Sequence, residues 1–332
     1  MKAKQRTLVI LLVLAVIAGG ALLALNTYNS NEAAASSAAA DGSIPLSSFT
    51  SSDLSQITYT YNGETVTLDY DDGSWTLDDD PDYHLDSSSC NTMVTALSAL
   101  NAKREITAQS DEDYGFDEPA VTVSVTAAGE TNTFTFGAEN SVTGDIYVRK
   151  NNEDTVYTVS SNKVSCFELG KADLFGSFNP AGLTSSDIES VSYTLQSGET
   201  VELNAVSEPV ETSSDSSSES TEDADSTTYE TVWRLASDTD ADLDDSKINS
   251  ILSAISGYAT AQITNADASQ YGFDNPLVTV TVKTADGSKK LEYSIGTDGY
   301  YLSVDGDSSV YQVSDSTVQA LLYTAQELKA AE

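Results

Sequence analysis

The chain has 332 residues, a length that suggests two domains, and 39% of them are hydrophobic, enough for packed cores of modest size. It carries 15 Lys+Arg against 52 Asp+Glu, a net charge of −37. A surface so acidic repels phosphate backbones, which excludes nucleic acid as a partner, and it disfavours direct adhesion to anionic lipid headgroups.

The first element is apolar. Thr7 to Leu25 reads TLVILLVLAVIAGGALLAL, carries no charge and is long enough to span a bilayer as a helix. Lys2, Lys4 and Arg6 precede it and no basic residue follows until Lys103. By the positive-inside rule the bulk of the chain then lies outside the cytoplasm. We read residues 1–28 as a cytoplasmic tip and transmembrane anchor of a single-pass cell-membrane protein. Cleavage as a signal peptide, leaving a secreted protein, is the alternative, because Ala33–Ala35 and Ala38–Ala40 resemble signal-peptidase sites. No Cys lies near the end of the run, which excludes a lipoprotein anchor. Residues 29–48, rich in Ala, Ser and Asn, read as a flexible stalk.

From Phe49 the chain repeats itself, and we divide it into a first repeat at 49–175 and a second at 176–332. Ser51-Ser52-Asp53-Leu54 returns as Ser185-Ser186-Asp187-Ile188, each followed by an extended run, Gln56–Tyr61 and Val191–Leu195. Gly-Glu-Thr-Val then recurs at Gly63–Val66 and Gly198–Val201 and predicts a hairpin turn. The next strand in each copy carries the one Trp of that copy, Trp75 and Trp233. Between these strands the second copy has an acidic, Ser-rich insertion at about 207–228. It lacks the large apolar residues needed to fold and reads as a disordered loop.

A helix follows in each copy. Cys90, Met93, Val94, Leu97 and Leu100 repeat as Ile248, Ile251, Leu252, Ile255 and Tyr258, one apolar stripe per helix, with Ser87 and Asp244 as N-caps. Arg104–Thr107 and Ala259–Thr264 predict short extended segments. The register sets Cys90 opposite Ile248 and Cys166 opposite Ala320, so both cysteines read as small buried residues. A Cys90–Cys166 disulfide stays open in an exported protein.

The most similar words come next: Tyr114-Gly115-Phe116-Asp117-Glu118-Pro119 and Tyr271-Gly272-Phe273-Asp274-Asn275-Pro276. We read each as a structural junction. One helical turn ends at a left-handed glycine, a buried aromatic follows, and proline leads into a strand. In that strand Val121, Val123 and Val125, or Val278, Val280 and Val282, alternate with Ser and Thr. The next strands place Phe134 and Phe136, or Leu291, Tyr293 and Ile295, inward and close at Gly137 and Gly296. Two more strands carry Tyr147 and Tyr157, or Tyr301 and Tyr311. A last helix is clearest in the second copy, where Val318, Leu321, Leu322, Ala325 and Leu328 share a face. Alternation with one polar side predicts antiparallel, half-buried strands. The fold class is therefore α+β: two tandem repeats, each a mainly antiparallel sheet with one or two covering helices, after the N-terminal transmembrane helix.

The order of Trp strand, amphipathic helix, Tyr-Gly-Phe-Asp-x-Pro word, alternating strands and Tyr-bearing strand pair resembles the bacterial domain of unknown function 4340 family. That family's pattern is Tyr/Gly/Leu-Asp-x-Pro, with Phe116 and Phe273 here where Leu is usual. The resemblance covers Phe49 to Glu332 as two copies. It implies a membrane-anchored, exported protein, with an envelope or ABC-transporter protein as a partner. It supplies no catalytic or binding residues.

Chemistry-bearing patterns are few. His84 is the only histidine and has no counterpart in the second copy, so a Ser/His/Asp hydrolase would depend on it alone. Asp238, Asp240, Asp242 and Asp244 begin like an EF-hand loop, but Leu243 stands at the sixth position and Asn249 at the twelfth. With 17 Tyr against 2 Trp and 8 Phe, a tyrosine-lined face for glycan or peptide is a further candidate beside ordinary sheet packing. The expectation is a non-enzymatic extracytoplasmic binding or scaffold protein without cofactor. A Ca²⁺-dependent adhesion or carbohydrate-binding module and a hydrolase are the alternatives.

Overall fold

The structure, a computed structural model, describes residues 43–107, 112–209, 228–264 and 266–330. The expected anchor at 1–28, most of the stalk and residues 210–227 of the expected disordered insertion lie outside these. No helix among the described residues is long and apolar enough to cross a membrane. The chain forms two compact units. One runs to Pro81 and resumes at Leu85–Leu174; the other comprises Asp82–His84 and Phe175 onward.

In the first unit β1 (Ile44–Pro45), β2 (Leu54–Tyr61), β3 (Glu64–Asp71) and β4 (Ser74–Leu77) precede α1 (Ser87–Ser98). Then come β5 (Asn101–Ala102), β6 (Arg104–Ile106), β7 (Val121–Ala127), β8 (Glu130–Glu139), β9 (Asp145–Lys150) and β10 (Val156–Ser160). Eight of them form one sheet in the order β4-β3-β2-β7-β8-β9-β10-β6, antiparallel throughout. The β2–β3 turn is Asn62-Gly63, both residues at positive φ, the backbone that matches the twist of a tight hairpin. The inward phase (Ile57, Tyr59, Leu68, Val121, Val123, Phe134, Phe136) is fully buried. On this face α1 buries Cys90, Met93, Ala96 and Leu97, and the 3₁₀ turn Ser165–Phe167 packs against it.

The second unit repeats the plan: β11 (Ile188–Leu195), β12 (Thr200–Pro209), β13 (Tyr229–Leu235), α2 (Asp245–Ile255), β14 (Ala261–Ile263), β15 (Val278–Thr284), β16 (Gly287–Gly296), β17 (Gly299–Val304), β18 (Val310–Val313) and α3 (Asp315–Gln319). The sheet order β13-β12-β11-β15-β16-β17-β18-β14 matches the first strand for strand. The β12–β13 hairpin pairs from Leu203↔Leu235 out to Pro209↔Tyr229, whereas β3–β4 stops at Asp71↔Ser74. Ser207–Pro209, expected in the loop, thus belong to β12.

Several expectations need correction. Each unit is mostly β rather than α+β, with few helices beside its eight-stranded sheet. The last helix ends at Gln319, and Leu321 and Leu328 reach the core from turns. Glu327 accepts hydrogen bonds from the Thr324 backbone at 2.9 Å and hydroxyl at 2.8 Å, and this local capture competes with helix. Asp86, not Ser87, caps α1, accepting from the Ser88 and Ser89 amides; Asp244 caps α2 as expected. The stalk ends early, because Ile44–Pro45 pairs with Asn101–Ala102 and Leu46 is buried. Tyr258 lies beyond α2 and is 64% exposed, so it leaves the predicted stripe. Ile295 is half exposed at the rim of the sheet, while Ser294 is buried, donating to the Tyr271 carbonyl.

Candidate functional site

The repeated words are crossings. In each unit the word lies over the outer face of the sheet, against the strand that ends its valine–aromatic pair. Gly115 (φ +74) and Gly272 (φ +83) take the left-handed conformation that glycine adopts without penalty. A Cβ on Gly115 would meet the Ala138 amide nitrogen at 2.5 Å, and one on Gly272 the Ile295 oxygen at 2.4 Å. Gly137 is equally constrained, its missing Cβ lying 2.1 Å from the Tyr114 oxygen. The Ala138 amide donates to that oxygen at 2.8 Å and seals the crossing. Among the described residues a one-turn helix precedes the glycine only in the second unit, as the 3₁₀ turn Ala268–Tyr271. Tyr114 stacks edge-on to Tyr147 at 5.0 Å, and Tyr271 likewise to Tyr301 at 4.8 Å. Phe116 and Phe273 are half-buried rather than buried, and the Arg149 guanidinium lies 4.3 Å from the Phe116 ring centroid. Asp117 and Asp274 are exposed, and Pro119 and Pro276 precede β7 and β15.

Beside this crossing, the outer face of the first unit carries an ordered set of hydroxyls. The pairs Thr58–Thr67, Thr60–Thr65, Ser124–Thr133 and Thr126–Thr131 are hydrogen-bonded at 3.2, 2.9, 2.9 and 2.9 Å. Because β2 pairs with β7 at Thr58↔Ser124 and Thr60↔Thr122, and Thr122 faces Thr135, rows of hydroxyls cross four strands. Only Gln56 and Asp69, bonded to each other at 2.8 Å, interrupt the set. Its signal in the sequence is the polar phase of TYT, TVT, TVS and TFT, the side of each strand opposite the apolar alternation.

The acidic run does not converge. Asp238 pairs with Lys329 at 2.6 Å, which holds its carboxyl below the usual range. Asp242 pairs with Arg234 at 3.5 Å, and Asp244 is spent on its helix cap and on Lys247. Asp240 shares no partner with them in these pairings. Among the described residues no group of three or more His, Cys, Asp or Glu side chains is placed to hold a metal ion. His84 belongs to the second unit. Its ring stacks on Phe178 at 3.4 Å, and its Nδ1 and backbone amide both bond Gln262 Oε1 at 2.9 Å. That neutral amide stands where a triad would need a carboxylate to stabilise an imidazolium.

Cys90 and Cys166 are free thiols. Burial pushes them up to about 12 and about 11, so both stay protonated and unreactive near neutral pH. Several tyrosines are taken up by the cores rather than left for a tyrosine-lined face. Tyr59, Tyr193, Tyr293 and Tyr311 are fully buried, and Tyr59 and Tyr193 donate to the Leu169 and Tyr323 carbonyls. Burial raises the pKa of all four phenols. Tyr59, Tyr193 and Tyr293 stand two residues from Ile57, Val191 and Leu291, in the inward phase of their strands.

Neither the curated proteins nor the solved structures compared with the chain gave a match. The family model described as Domain of unknown function (DUF4340) matches residues 75–232 and again 233–330. Its windows open at Trp75 and Trp233, one strand after the two strands that begin each sheet. Matched over well more than half its length in two consecutive copies, the chain belongs to the DUF4340 family.

Proposed function

We propose that the chain is a non-enzymatic, membrane-anchored binding or scaffold protein of the bacterial envelope, exposed outside the cytoplasm and acting beside a transporter of the ABC type. The observation that carries this reading is the uncharged stretch Thr7–Leu25 behind Lys2, Lys4 and Arg6, set ahead of two copies of one sheet-based unit. The acidic balance of the chain suits an exported surface. The buried, protonated thiols and a histidine held by a neutral amide favour binding over catalysis.

The test is topological. Protease added to intact, wall-stripped cells should digest the mass of the chain beyond Asn26, and a reporter fused at residue 5 should stay protected. Full protection of the chain would overturn the placement. Cross-linking in detergent should then recover the membrane subunit of a transporter repeatedly; its consistent absence counts against the accessory role.

A further inference from the structure

The outer faces of the two sheets share one backbone plan and differ in charge. Thr67, Thr126, Thr133 and Thr135 stand where the second unit has Glu202, Lys283, Lys290 and Glu292. The fold therefore accepts charge at each of these positions. The preference of strands for threonine does not by itself explain why the first unit leaves charge out. In a chain of net charge −37, this is a face kept almost free of it.

We propose that this hydroxyl face of the first unit binds a neutral polysaccharide. A hydroxyl both donates and accepts, and a threonine methyl adds an apolar contact beside it. Sugars present the same pairing of O–H and C–H groups. The half-buried Phe116 ring, backed by Arg149, adds an aromatic margin of the kind that packs on C–H surfaces. Size decides between this occupant and a second copy of the chain. Four strands about 4.8 Å apart and three alternate residues about 6.7 Å apart give a patch on the order of 300 Å². A standard protein interface needs about 800 Å² per partner, so the face suits a run of a few sugars. The charges at its edge are single and of opposite sign, Asp69 bonded to Gln56 and Arg149 against Phe116, which sets aside an anionic or cationic polymer. The proposal rests on the reading above only for where the glycan is met.

The test is calorimetric titration of the detergent-solubilised full chain with cellohexaose and chitohexaose, in EDTA, with polygalacturonate as the charged control. Binding to at least one hexasaccharide and none to polygalacturonate is expected. A triple variant carrying the second unit's residues, Thr126→Lys, Thr133→Lys and Thr135→Glu, should bind at least tenfold more weakly. Its fold is checked by an unchanged melting curve, and the shape-preserving Thr60→Val/Thr122→Val variant should weaken binding in the same direction. No binding to either neutral sugar, equal binding by the triple and valine variants, a preference for polygalacturonate, or dimerisation that the triple variant abolishes would each overturn the proposal. Because protease access is measured separately, a chain that is exposed outside the cell yet binds neither sugar sinks this proposal alone.

Discussion

At Tyr293 the second unit places a phenol where the first has Phe136, and the hydroxyl is fully buried with no hydrogen-bond partner among the described residues. An unmet buried polar group costs about 1–3 kcal/mol. Tyr293→Phe should therefore raise stability by about 1 kcal/mol in denaturant melts, and Phe136→Tyr should lower it. A loss of stability in Tyr293→Phe would show that the hydroxyl is satisfied. Asp145 is the opposite case, a buried carboxylate met by Lys103 at 2.5 Å, whose hydrogen bond holds its pKa below the ordinary value. A depressed folded pKa means stability that is full above the unfolded carboxylate value of about 3.9 and is lost as pH falls through the folded one. Asp145→Asn should thus destabilise at neutral pH, with the difference from the parent closing as pH falls below the ordinary carboxylate range. A gap that stays constant with pH would assign the effect to packing instead.

At the scale of elements, the Tyr-Gly-Phe-Asp-x-Pro crossing makes a graded prediction. Gly63 and Gly272 both have φ near +80°, but an added Cβ meets nothing within 4 Å at Gly63 and a carbonyl at 2.4 Å at Gly272. Gly63→Ala should cost about 1 kcal/mol, the left-handed penalty alone. Gly272→Ala should cost at least about 2 kcal/mol more, since the backbone crossing must open. Equal costs in chemical denaturation would remove the crossing from the account. Strand phase, the hairpin at Asn62-Gly63 and the two main helices were legible because period-two and period-3.6 patterns report burial locally. The crossing was not legible as such. The glycine could be read as left-handed, but the strand it lies against, at Ala138 or Ile295, is fixed only by the assembled sheet. The final helix misled for a related reason. Val318, Leu321 and Leu328 are all buried, yet only Val318 is on the helix, and Leu321 and Leu328 reach the core from turns, which the apolar spacing does not distinguish from a helix.

For the whole molecule, the net charge of −37 sets the response to salt. Among the described residues the bridging cations, such as Lys171 with Asp80 and Arg234 with Glu208, are few beside the carboxylates. Self-repulsion should dominate, and it is screened within about 10 Å at 0.1 M salt. Melting temperature should therefore rise as NaCl is added from low ionic strength; a fall would mean that attractive pairs outweigh repulsion. The tandem plan was legible from the repeated words, since two copies in register expose each other's insertions. The hydroxyl face was legible only afterwards, because rows across four strands depend on which strands are neighbours.

That neighbour relation governs how each unit is made. The pairing of β2 with β7 joins Leu54 to Ala127, and β11 with β15 joins Ile188 to Thr284, each across the intervening helix and edge strand. In each unit one half-sheet is translated well before the strand that completes it. The nascent β2–β3–β4 hairpins hold an open edge until β7 leaves the ribosome, and the second unit repeats the wait for β15. An open edge is a site for wrong pairing, and in this chain the right partner and its duplicate have nearly the same sequence. A chain duplicated in this way faces the hazard of one copy's strand completing the other copy's sheet.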